Sequence, residues 1–174
     1  MSLKLTQLAR KSIESYLQGK KFEPDVETKK KYSEKGACFI TLTLNGNLRG
    51  CIGSLEAHRE LWKDVCENAV NSAFNDYRFV PLKKEELSKI KIEVSVLSKA
   101  IKLGLGEKVF PKINNKMGII LKKGFNTATF LPQVWEQLPD KTEFLQELSL
   151  KAGLNANDWK TAEISYYTIK SEEE

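Results

Sequence analysis

The 174-residue sequence holds one histidine and three cysteines. His58 alone cannot supply a zinc or iron site built from several imidazoles. Cys38, Cys51 and Cys66 form no CxxC pair, so neither a structural zinc cluster nor a disulfide framework is expected. An odd, sparse set of cysteines fits a reducing compartment. No apolar run approaches the ~20 residues that cross a bilayer. The segment from Met1 to Gln7 lacks the unbroken apolar stretch of a signal peptide. The expectation is a cytoplasmic protein with no membrane partner. The phosphate loop G-x-x-x-x-G-K-[ST], the dinucleotide fingerprint G-x-G-x-x-G and the G-x-S-x-G elbow are all missing. The fragment Gly104-Leu105-Gly106 reads as a turn. Neither a metal nor a cofactor is expected.

Hydrophobic residues make up 41% and charged residues 29%, close to the globular average, which argues against whole-chain disorder. The length fits one domain over residues 1–174, with a core that hides about two-thirds of the unfolded chain's surface. No Gly-, Ser- or Pro-rich linker divides it. The formal charge of +5 is compatible with nucleic acid as a partner. The basic residues are scattered, however, as Lys20-Lys21, Lys29-Lys30-Lys31, Lys83-Lys84 and Lys122-Lys123. Glu23, Asp25, Glu85 and Glu86 sit among them, as on a solvated surface.

Leu5, Leu8, Ala9, Ile13, Tyr16 and Leu17 recur at helical spacing, and Gly19 ends that helix. Residues 20–35 are charged, contain Pro24 and read as a loop or arm. A strand is expected over 37–44, a turn at Asn45-Gly46 and a return strand over 48–53. Residues 60–74 have the clearest helical period. Ile90, Ile92, Val94 and Val96 alternate with polar residues, as in a half-buried strand. Further strands are expected near 117–121, 127–131 and 164–169. A helix is expected over 141–152, and 170–174 read as a frayed tail. Strict βαβ alternation is absent, so the class is α+β with a mostly antiparallel or mixed sheet.

Two stretches carry candidate chemistry. In Leu48-Arg49-Gly50-Cys51-Ile52-Gly53, two glycines flank a cysteine near the end of a strand. Glycine weakens a strand, so it calls for a bulge or a close approach by backbone or ligand. Arg49 would favour a Cys51 thiolate, and a Cys51–His58 pair is also open. A packed inert thiol and a thiol that only lines a pocket are the other two readings. In Asn75-Asp76-Tyr77-Arg78-Phe79, Asp76 and Arg78 either orient a polar or anionic ligand or tie a helix end to its loop. Glu93 on the polar face of its strand and Gln133 after Leu131-Pro132 are weaker candidates.

The same residues resemble a known family. Leu48-Arg49-Gly50-Cys51-Ile52-Gly53 is similar to the signature hexapeptide of the AMMECR-type domain. Asn68-Ala69, Ala73-Phe74-Asn75-Asp76, Arg78-Phe79, Pro81-Leu82, Glu86-Leu87 and Ile92 to Ser98 resemble the blocks that follow it. Gly118-Ile119-Ile120, Leu131-Pro132-Gln133-Val134, Phe144-Leu145, Lys151-Ala152-Gly153-Leu154 and Trp159 continue in family order, across most of residues 35–169. The resemblance implies a compact two-lobed α/β structure with a cleft beside the hexapeptide. Cys51 would be its central thiol, with Arg49, Gly50, Ile52, Gly53, Asp76, Arg78, Glu93 and Gln133 lining it. It also implies component A of the AmmeMemoRadiSam system, whose partners are a Memo-type protein and a radical-SAM protein. It implies no particular reaction, so a catalytic or ligand-binding domain, a non-catalytic adaptor and a nucleic-acid-associated factor stay open. Tyr77 stands where the family usually has proline. Ser149 replaces a frequent cysteine, which argues against a two-cysteine mechanism.

Overall fold

Helix α1 (Leu5–Leu17) buries the stripe Leu5, Leu8, Ala9 and Ile13, and Gly19 closes it at φ +71°. The computed structural model describes every residue from Met1 to Glu174. The segment expected to be a loop holds helix α2 (Val26–Lys31) and the short strand β1 (Lys35–Gly36). Helix α2 is too short to show a hydrophobic period. It is set by its ends: the Asp25 side chain accepts from Thr28 N at 2.8 Å, and buried Thr28 accepts from Leu3 N at 2.9 Å.

Strands β2 (Cys38–Leu44) and β3 (Asn47–Gly53) form the expected hairpin. Asn45 and Gly46 have φ of +52° and +79°, as a two-residue turn of this hand requires. Strand β4 (Arg59–Glu60) pairs with β1 and leads into helix α3 (Leu61–Phe74). After a 3-10 turn at Lys84–Glu86, strand β5 (Ile90–Leu97) joins the far edge of β2. Val65 and Ala69 of α3 pack with the α1 stripe against Ile40, Leu42, Ile92 and Val94 on one face of this sheet.

Residues Ser98–Ile169 form a second compact unit. Its strands are β6 (Ile101–Leu105), β7 (Gly118–Lys123), β8 (Asn126–Phe130) and β9 (Glu163–Tyr167), in the order β6-β9-β7-β8. Helix α4 (Gly106–Val109) follows β6, and helix α5 (Lys141–Lys151) covers the sheet with Phe144, Leu145 and Leu148. Trp135 stacks on Phe144 at 3.7 Å between ring centres. The Gly104-Leu105-Gly106 fragment is not a turn: it spans the end of β6 and the start of α4. Gly106 is required there because a Cβ would lie 1.9 Å from the Trp159 carbonyl oxygen.

The C-terminal residues return to the first unit as strand β10 (Ile169–Glu173), giving the order β10-β5-β2-β3. They are therefore not frayed. Thr6 donates from N and from Oγ1 to Glu172 at 2.9 Å each, and Arg10 clasps the Glu174 carboxylate at 2.7 and 2.5 Å. The class is α+β with antiparallel sheets, as expected. No helix is long and apolar enough to cross a membrane.

Candidate functional site

The hexapeptide lies on β3, an edge strand with only β2 beside it. Pairing runs Leu44 to Asn47 and Thr43 to Leu48, then jumps to Leu42 with Gly50 and Thr41 with Cys51. Arg49 is the extra residue of a β-bulge. The bulge changes which face each later side chain takes. Gly50 and Ile52 fall on the face covered by α3, and Cys51 falls on the other.

Both glycines have a packing reason. A Cβ on Gly50 would lie 2.0 Å from the Ser72 carbonyl oxygen, so α3 rests directly on the strand there. A Cβ on Gly53 would lie 2.3 Å from the ring of Phe39, its cross-strand partner. Ser72 Oγ links the elements further. It accepts from Ile52 N at 2.9 Å and donates to the Ile40 carbonyl at 2.8 Å.

Asp76 and Arg78 act on the exposed edge of β3 as a substitute for a neighbouring strand. The Asp76 carboxylate accepts from Cys51 N at 2.9 Å, and Arg78 Nη2 donates to the Cys51 carbonyl at 3.3 Å. The two side chains lock each other: Arg78 Nε and Nη2 donate to Asp76 at 3.0 and 2.7 Å, and Arg78 N donates at 3.2 Å. These charge-assisted bonds, those from Arg78 above all, hold the buried Asp76 carboxyl down at about 2. Asp76 is 2% exposed and Arg78 44%, so the carboxylate is committed to the clamp while part of the guanidinium meets solvent.

The Cys51 thiol is half-buried, 3.4 Å from Thr41 Oγ1. Thr41 pairs with Cys51 on one side and Glu93 on the other, so the three form one row across β3, β2 and β5. At the usual strand spacing the row spans about 10 Å between its outer Cα atoms. Ser95 Oγ donates to Glu93 at 2.8 Å and Ser171 Oγ at 3.4 Å, and Glu93 pushes the nearby Glu173 carboxyl up.

Arg49 does not activate this thiol. Its guanidinium forms a two-pronged pair with Glu86, at 2.9 and 3.0 Å, and is nearly buried. Burial pushes the Cys51 thiol up, with Asp76 and Glu93 adding to the effect, while Thr41 and Arg78 oppose it. The resting thiol is therefore protonated at neutral pH. His58 is no partner for it either: the imidazole is exposed and bonded to Glu56 at 2.9 Å. Gln133 is exposed on the 3-10 turn Pro132–Glu136 of the second unit. No group of three or more His, Cys, Asp or Glu side chains is arranged to hold a metal ion.

Sequence reasoning did not find Thr41, Ser72 or Glu86 as partners of the hexapeptide. Thr41 would have been found from the register of the Asn-Gly hairpin only if the bulge had been known. Ser72 and Glu86 carry no local signal, because their roles depend on how α3 and the following turn sit on β3.

Comparison with known proteins gives a consistent result. The AMMECR1 family profile matches residues 6–173. Protein NEQ441 of Nanoarchaeum equitans is 38% identical, over 98% of this chain and 97% of its own. Protein Mbar_A1807 of Methanosarcina barkeri is 39% identical, over 92% of this chain and 83% of its own. The crystal structure of uncharacterized protein PH0010 from Pyrococcus horikoshii superposes with a TM-score of 0.87 at 35% identity, covering 98% of this chain and 89% of that one. With matches of this extent in sequence and in fold, the chain belongs to the AMMECR1 family.

Proposed function

We propose that the sheet face carrying Cys51 is a small-molecule binding site in which the thiol lines the pocket as a neutral group. The observation that carries this reading is the row of a thiol, a hydroxyl and a carboxylate at Cys51, Thr41 and Glu93. The strand that presents the thiol has its free edge fixed by Asp76 and Arg78. A fixed backbone with convergent polar groups is what a preorganised site needs. The exposed part of Arg78 would take an anionic group of the ligand, and Glu93 a hydrogen-bond donor. Catalysis by a resting thiolate is disfavoured, since burial keeps the thiol protonated. We infer a reducing compartment such as the cytoplasm, a reading supported by the odd, sparse set of cysteines.

The test is labelling of Cys51 by a panel of neutral chloroacetamide fragments of differing shape, read by peptide mass spectrometry. A site predicts that the rate saturates with fragment concentration, depends on fragment shape and changes in Glu93→Gln. Linear kinetics, equal for all fragments, would remove the reading.

A second reading has one observation in its favour. Tyr77 is 95% exposed and Val80 70% exposed, and they flank Arg78 on the loop that holds Cys51. Exposed apolar side chains beside a fixed motif suit a protein partner. The family resemblance points to a Memo-type or radical-SAM protein. Tyr77→Ser with Val80→Ser should weaken binding to such a purified partner and leave fragment labelling of Cys51 unchanged. Unchanged partner affinity would count against the adaptor role.

A further inference from the structure

A separate groove lies on the helical side of the first unit, where α1 and α3 cover the sheet face opposite Cys51. Its volume is about 830 Å³, within the range of small-molecule sites. Trp62, Cys66 and Val70 recur every four residues and form one stripe of α3 along its wall. Tyr16 of α1 and Phe22 of the following loop contribute two more apolar surfaces. Tyr16 is held by the ring of Phe74 at 4.5 Å, yet it stays about half exposed and leaves ring surface open.

Cations outnumber acids among the residues that line this groove. Lys20, Lys21, Arg59 and Lys63 line it, with Glu67 as the single acid. Arg59 is already engaged by Asp64 at 2.9 Å and by Glu67, and Lys63 is paired with Glu60. Lys20 and Lys21 have no carboxylate partner. Lys29 and Lys63 lie 5.3 and 5.2 Å from the Trp62 ring centre and flank the indole, each with its charge paired, Lys29 to Glu23 and Lys63 to Glu60. A groove with aromatic walls and two unpaired ammonium groups in its lining suits a flat apolar body with an anionic head.

We infer that the groove between α1 and α3 is a second binding site, which takes an aromatic small-molecule anion with its ring against Tyr16 and Trp62 and its charge on Lys20 and Lys21. This goes beyond the function proposed for the Cys51 face, which lies on the other side of the sheet.

The molecule carries its own reporters. Trp62 is the only tryptophan of the first unit, and Cys66 is a thiol in the groove wall. The probe is anilinonaphthalene sulfonate, with neutral N-phenylnaphthylamine as its uncharged counterpart. The expected result is one saturable sulfonate site with energy transfer from Trp62. Bound sulfonate should protect Cys66 from slow alkylation by iodoacetamide at alkaline pH, without protecting Cys51. Lys20→Glu with Lys21→Glu should weaken the sulfonate about tenfold or more and leave the neutral probe within about twofold, since only the head group meets those side chains. Val70→Trp should abolish binding of both probes. The lysine pair lies on an exposed loop, so its result stands even if Val70→Trp does not fold. Sulfonate affinity unchanged by the lysine reversal, or an unprotected Cys66 at saturating probe, would overturn the assignment.

Discussion

Asp76→Asn isolates the clamp that holds the hexapeptide. The substitution keeps the size of the side chain and removes its charge. At present the two carboxylate oxygens accept from Cys51 N and from three donors of Arg78. An amide keeps one oxygen and puts an NH₂ group against donors it cannot accept from. A hydrogen bond to a charged group is worth about 1.5–3 kcal/mol, and breaking a buried pair costs about 3–5 kcal/mol. Arg78 is 44% exposed, so solvent recovers part of the loss, and about 2–3 kcal/mol is expected at neutral pH. The pH dependence gives a second check. The Asp76 carboxyl falls from its ordinary 3.8 to about 2 in the folded protein. Its contribution is complete above the unfolded value and is lost as pH falls through the folded one. That shift corresponds to about 2 kcal/mol, or about 1–2 kcal/mol after screening by water around Arg78, and nearly half of it should be gone by about pH 3. The assay is urea unfolding of both proteins from pH 7 to pH 3, followed by Trp62 fluorescence with Trp135 and Trp159 replaced by phenylalanine. Exchange of the Cys51 amide hydrogen is measured alongside. The difference between the proteins should shrink as pH falls, and the Cys51 amide should exchange faster in the variant. Equal stability at pH 7 with unchanged Cys51 exchange would refute the clamp.

Gly50→Ala would drive a methyl to 2.0 Å from the Ser72 carbonyl, so α3 must move and about 2–4 kcal/mol should be lost in denaturant unfolding. Gly46→Ala meets nothing within 4 Å and should cost only about 1 kcal/mol for its positive φ. A cost for Gly50→Ala no larger than for Gly46→Ala would contradict the contact with α3. Arg49→Met would leave Glu86 without its partner and should lower stability by about 1–3 kcal/mol, without accelerating or slowing Cys51 alkylation beyond about twofold. A marked fall in alkylation rate would restore Arg49 as an activator of the thiol. In the native protein, Cys51 should alkylate slowly at pH 7, with a rate that keeps rising beyond pH 9, because burial lifts its thiol above the ordinary value of 9.0. Cys38 should stay silent, since burial and Asp64 push its thiol far higher. A Cys51 rate that levels off below pH 8 would show an activated thiolate instead.

Local periodicity was enough to read α1, α3, α5 and the β2–β3 hairpin, since each carries an amphipathic stripe or a turn that only Asn-Gly satisfies well. It missed α2, α4 and the strands β1, β4, β6 and β10. Helix α2 depends on the capping of Asp25 and on Thr28. Strand β6 is short and holds Gly104 at φ +135°. Strand β10 is almost wholly polar and is ordered by bonds to Thr6 and Arg10, which precede it by more than 150 residues. Such partners leave no trace in a local window.

The site divides in the same way. The sequence by itself pointed to a bulge or a close approach at Gly50 and Gly53, to the α+β class, and to the motifs that flank Cys51. It left the orientation of Cys51 undetermined. Continued without a bulge, the register set by Asn45-Gly46 would place Cys51 opposite Ile40, inside the helix-covered core. The extra residue at Arg49 shifts it opposite Thr41, on the other face. Arg49 takes that position while its charge is paired with Glu86, and α3 closes on the bare backbone of Gly50. Those are contacts between segments far apart in the chain, so only the tertiary structure could decide that the thiol faces away from the helices and that Arg78, not Arg49, stands beside it.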